Sequence, residues 1–230
     1  VTNILGSVTA NANINQDINI AETKELISSA DYLGGAITNA GSLKLTGGTL
    51  SNAVSGIGVT NILGSVTANA NINQDINIAE TKDLTSSADY LGGAITNAGS
   101  LKLTGGTLSN AVSGAGITNV TGTVTSNALI AQNTDITGSL TISASKLAGD
   151  VSNSGTLNLN GGIFYEYTVS GTGTTVISAD TINIGTIEQP DFIVNNGVTF
   201  ENDYITTVEN VLPNNGTLQN NDNFTVKGGT

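Results

Sequence analysis

The residues of this chain that could do chemistry are carboxylates and lysines, and both recur. Asp17, Glu22, Glu25 and Asp31 return in a second copy as Asp75, Glu80, Asp83 and Asp89. Paired acids can act as general acid and base on a glycosidic bond, usually with Arg, Lys or His to hold an acidic sugar. Here there is no His, and all six basic residues are Lys. Lys24, Lys44, Lys82, Lys102 and Lys146 fall once or twice per repeat, as solubilising charges do. An active site is normally single, so a duplicated acid set reads as a solvated face, and the chain is expected not to be an enzyme. The Gly-Gly segments at Gly34-Gly35 and Gly47-Gly48 lack the third Gly and the Asp of a calcium-binding nonapeptide. No thiolate site is available without Cys. Catalytic residues, a metal and a cofactor are all expected to be absent.

The elements that carry these side chains follow from the composition. A net charge of −12 opposes nucleic acid, which requires a basic stripe to displace counterions, and opposes a polybasic membrane contact. No apolar run approaches the roughly 20 residues of a membrane-spanning helix, so no membrane insertion is expected in this segment. Gly, Asn, Thr, Ser and regularly spaced aliphatics suit turns and strands, and the regular spacing argues against disorder.

The organising unit is AITNAGSLKLTGG at Ala36–Gly48, which recurs at Ala94–Gly106 and as DVSNSGTLNLNGG at Asp150–Gly162. Weaker forms lie at Ile193–Asn202 and Asn214–Gly229. Residues 1–58 and 59–116 are tandem copies that differ only at Glu25/Asp83, Ile27/Thr85 and Ile57/Ala115. A diverged third copy covers 117–173, and a fourth, too diverged to align throughout, covers 174–230. Within one period, equivalent positions at Ile37, Val54, Ile72 and Ile95 suggest three coils of unequal length, the last the longest. A unit this small cannot bury its own apolar face and must stack on copies of itself. The expected fold is therefore all-β, a right-handed parallel β-helix (β-solenoid) of about 12 rungs, the handedness following the crossover rule. All four copies are expected to form one continuous solenoid. Both ends fall within the repeat, which predicts a segment of a longer rod.

Substitutions between copies indicate which side chains face inward. Leu63 becomes Thr121 while Ile62 becomes Val120, and Ile27 becomes Thr85 while Leu26 and Leu84 stay apolar. Ile62, Val66, Leu26 and Leu43 are thus expected inside, with Leu63 and Ile27 outside, a period of two that marks strands. The same pattern makes a strand of Ala21–Ala30, the best helical candidate. Asn39, Asn97 and Asn153, with Gly41, Gly99 and Gly155, share one phase and are expected to form a structural turn ladder. There Asn and Gly accept left-handed angles, and each Asn bonds to the Asn stacked above. A different signal is Phe164-Tyr165-Glu166-Tyr167, which stands where the first copies have only Leu50-Ser51-Asn52 and Leu108-Ser109-Asn110. Phe164 aligns with the inward Leu50. Tyr165, Glu166 and Tyr167 are then either an exposed contact patch or a register-correcting bulge.

The units NAGSLKLTGG, NSGTLNLNGG and NNGTLQNNDNFTVKGG resemble the passenger regions of bacterial autotransporters and of filamentous-haemagglutinin-like, two-partner-secreted proteins. That resemblance implies secretion across an outer membrane and an extracellular or cell-surface location. It implies a stalk, adhesin or filament role. The expected partners are further copies of the rod or adjoining repeats, end to end, together with host or cell-surface glycans or proteins. Two alternatives stay open: a non-catalytic part of a carbohydrate-active β-helix enzyme, and a phage or virus fibre shaft.

Overall fold

The structure, a computed structural model, describes residues 1–211 and 215–228. It is all-β, 59% strand and 4% helix, with parallel strands stacked into a β-solenoid of about 12 turns. Three 3-10 turns, Ala30–Tyr32, Ala88–Tyr90 and Ala144–Lys146, are included in the helical share. The chain divides into two compact units, residues 1–117 and 118–230. Of the last expected unit, Asn214 and Gly229 lie outside the described residues, while Thr217–Asn220 and Asn223–Val226 between them are strands.

The first unit has three walls. One stacks Thr2–Ile4, Ile18–Ile20, Ile37–Asn39 and Val54–Ser55, and continues through bridges to Ile72 and Leu91. The second stacks Ser7–Ala10, Glu25–Ser28, Ser42–Leu45, Val59–Ile62, Asp75–Ile78 and Ile95–Asn97. The third includes Gly48–Leu50, Val66–Ala68, Asp83–Ser86 and Ser100–Leu103. Alternation places Leu26, Leu43, Thr60, Ile76, Ile95 and Val112 above one another in the interior, all but fully buried. Ile62 and Val66 are also inside, and Leu63 is outside at 39% exposure with Ile27 half-buried. The candidate helix resolves into the strand Glu25–Ser28 followed by the 3-10 turn.

The relation between repeat and turn differs from the expectation. From Thr2, the first wall is met again at Ile18, Ile37 and Val54, three turns later. Thr60, the second copy's counterpart of Thr2, sits one wall further on, between Leu43 and Ile76. The expected coils from Ile37 to Val54 and from Val54 to Ile72 both exist. The long coil from Ile72 to Ile95 does not, because Ile72 pairs with Leu91 and Ile95 with Ile76. Turns are unequal, shorter from Thr2 to Ile18 than from Ile18 to Ile37, and one copy amounts to three turns and one wall. The second tandem copy is thus rotated by one wall relative to the first.

In the second unit the interior is partly aromatic. Phe164, Phe192 and Phe200 are fully buried, and Phe192 meets Phe200 edge to face at 4.9 Å. Along one wall Thr181–Asn183, Thr199–Asn202 and Thr217–Asn220 stack, and their asparagines form a ladder. Asn183 donates to Asn202 Oδ1 and Asn202 donates to Asn220 Oδ1, each at 2.9 Å. Thr206 Oγ1 also donates to Asn202 Oδ1, at 2.7 Å.

Two outcomes follow from this packing. Asn202→Ala removes the middle of the ladder and leaves the buried Thr206 hydroxyl without its acceptor, so urea unfolding should show a loss of about 2–3 kcal/mol. Val8 and Val66 occupy the same repeat position at 38% and 2% exposure. Val66→Ala should cost roughly 2 kcal/mol and Val8→Ala under about 1 kcal/mol, measured the same way.

Candidate functional site

Most recurring polar side chains are spent on the next turn. Asp31 Oδ1 accepts the backbone N–H of Thr49, and Asp89 Oδ1 that of Thr107, both at 2.8 Å. Asp17 and Asp75 likewise accept from Ala36 and Ala94 at 3.1 Å. In the third copy Ser145 Oγ accepts from Ile163 at the position of Asp89, and Asn133 Oδ1 accepts from Asp150 at the position of Asp75. What the corner requires is an acceptor, and a carboxylate is one way to supply it. Glu25 pairs with Lys44 on an outer face, at 2.5 Å. Among the described residues no three acids converge in a metal-binding group.

The phase-matched asparagines have a corner role, but the expected ladder between them does not form. Asn39 lies on the first wall of its unit and Asn97 on the second, so the two cannot stack. The one-wall rotation of the repeat is the reason. Each instead folds back on itself: Asn39, Asn97 and Asn153 accept from the N–H of Gly41, Gly99 and Gly155 at 3.0–3.1 Å. Each Nδ2 then reaches a later turn, at Val59 O, Ile117 O and Thr174 O respectively. None of these six residues has a positive φ. Gly41 is required for a different reason, since a Cβ there would lie 2.2 Å from Lys24 O and 2.5 Å from Ala21 O.

A second polar element escaped the sequence reading. Gln74 Nε2 donates to Thr60 inside the first unit, and Gln132 Nε2 to Thr118 inside the second. Gln189 accepts from Thr175, and Asn153 donates to Gln189 Oε1 as Asn39 donates to Gln74. Thr175 and Gln189 thereby align the fourth copy, which residue-by-residue comparison could not. The available signal was the near-constant spacing of Gln16, Gln74, Gln132 and Gln189, one in each copy.

The aromatic insert is where the third copy departs from the pattern. In the first copies Asn52 Nδ2 closes the corner by donating to Leu33 O, and Asn110 by donating to Leu91 O. At the matching corner the chain instead carries Tyr165, Glu166 and Tyr167, and a groove of about 510 Å³ opens. Ser145, Leu147 and Ala148 form the rest of its lining. Phe164 is fully buried and Tyr165 is 44% exposed, while Glu166 is exposed and Tyr167 half-buried. The backbone of the loop is pinned: Tyr167 N–H donates to Tyr165 O at 2.8 Å, and Thr186 N–H to Tyr167 O at 3.0 Å. Only glycine fits beneath it, because a Cβ on Gly185 would come within 2.0 Å of Tyr165 O. The insert is therefore a loop between the strands Thr156–Phe164 and Thr168–Ser170, with Tyr165 and Glu166 exposed, and the register shift of the first strand lies earlier, between Leu159 and Asn160.

Compared with known proteins, the chain matches no protein-family model, no curated protein and no solved structure.

The acceptor role of the corner carboxylates is open to a direct check. Asp31→Asn retains an oxygen acceptor and should leave the unfolding free energy within about 0.5 kcal/mol, whereas Asp31→Ala should lose about 1 kcal/mol.

Proposed function

We propose that this chain is a non-catalytic structural segment of an extracellular or cell-surface fibre, a spacer that extends or joins parts of an adhesin. The supporting observation is where the repeated polar groups go. The recurring Asp, Asn and Gln side chains bond to neighbouring turns, which makes them parts of the framework. The one-wall rotation supports the same reading. A catalytic cleft on a solenoid needs reactive groups stacked on one wall, and the duplication in the first unit moves them to another. A spacer loses nothing by this, since added copies bring length whichever wall they start on.

The test has two arms. Antibodies against the purified segment should label intact cells of the source organism without permeabilisation. Insertion of a further copy of residues 59–116 directly after residue 116 should give a folded protein whose longest dimension, by small-angle scattering, grows by roughly 16 Å. Labelling only after permeabilisation, or turnover of polysaccharides by the segment, would sink the proposal.

A further inference from the structure

We infer that the groove beside Tyr165 is a binding site for a single neutral pyranose ring of a glycan. This goes beyond the spacer reading and does not depend on it. The groove lies where the third copy replaces the closing amide of Asn52 and Asn110 with a longer, aromatic insert. Its chemistry is two-sided. Tyr165 and Tyr167 bring aromatic rings with polar tips, the type of side chain that meets a partner apolar on one side and wet on the other. The Glu166 carboxylate at the rim accepts hydrogen bonds only, and the Ser145 hydroxyl, whose oxygen already serves Ile163, still has its proton to donate. A pyranose offers a C–H face to rings and hydroxyls to a carboxylate, and so matches this set.

Size and charge narrow the choice. About 510 Å³ is within the range of small-molecule sites, roughly 300–1,000 Å³. A protein partner normally covers about 800 Å² per side, well beyond six lining residues. With Glu166 at the mouth and a chain of net charge −12, uronic and sialic acids are disfavoured by repulsion.

The site is also preorganised. Thr168 N–H is held by Asp150 Oδ1 at 2.9 Å, and Ile184 N–H by Phe164 O at 2.9 Å, on either side of the insert. Gly185 N–H is in turn fixed by Asn183 Oδ1 at 3.1 Å, the first residue of the asparagine ladder. The ladder thus seats the glycine on which the tyrosine loop rests, and binding need not order the loop.

The experiment is direct because the chain has no Trp and two of its five Tyr line the groove, so the part of the tyrosine fluorescence change that Tyr165→Ser removes reports on it. Methyl β-glucopyranoside, methyl β-galactopyranoside and methyl α-mannopyranoside are titrated separately, with saturation-transfer NMR as a second readout. At least one should bind with a Kd on the order of 1 mM or tighter. Tyr165→Ser should weaken that sugar by about tenfold while leaving the thermal melt unchanged. Gly185→Ala, which displaces the loop backbone, should weaken it as well. Methyl galacturonate should bind more weakly than methyl galactoside, and Glu166→Gln should narrow that gap. The inference is overturned if none of the three sugars binds, or if folded Tyr165→Ser binds as the parent does. It is overturned equally if Tyr165→Ser abolishes self-association in sedimentation while no sugar binds, which would make the groove a protein contact.

Discussion

A short corner cannot satisfy its own backbone, and its N–H and C=O groups must find partners in the turn above or below. That constraint shapes the recurring polar positions at the corners of this protein. Asp31, Asp89, Ser145 and Asp180 lie in four different copies, yet each offers an oxygen to a backbone N–H one turn further along the chain. Asn39 and Asn97 answer the same need in both directions, with one end on their own corner and the other on a later turn. A hydrogen bond of this kind contributes on the order of 1 kcal/mol, so acceptors persist at these corners even where their identities drift.

Rotation of the repeat by one wall has consequences for how such a protein changes by duplication. An inserted copy keeps each turn-to-turn bond, because those bonds reach no further than the next turn or two. It gives up alignment of outward groups along a wall. The first unit has therefore gained length without gaining a repeated face. The tandem region therefore does not align equivalent outward residues of its two copies on one wall.

The second unit is built differently. Its interior replaces aliphatic side chains with Phe164, Phe192 and Phe200, and a stacked Asn183–Asn202–Asn220 series takes over at one corner. The aromatic insert belongs to the same region. Gly185 connects the two features, since its N–H is held by Asn183 while its missing side chain admits the backbone of the tyrosine loop. A surface that departs from the repeat is thus carried on a corner that the repeat did not supply.

Much of this was legible locally. Alternation of Leu26 with Ile27, and of Ile62 with Leu63, reports burial because a strand turns each successive side chain to the opposite face. The substitution of Tyr165-Glu166-Tyr167 for Ser51-Asn52 and Ser109-Asn110 was visible as an insert, with Phe164 placed inside. Two things were not legible. Which residues share a wall depends on the summed lengths of all preceding turns, and the excess of each copy over three whole turns separates Asn39 from Asn97. Whether the insert closes or opens its corner depends on the loss of an amide that donated to a carbonyl one turn earlier. Side-chain direction is set between neighbouring residues and is written in the chain. Stacking register is set between turns, through space, where the lengths of many corners add up.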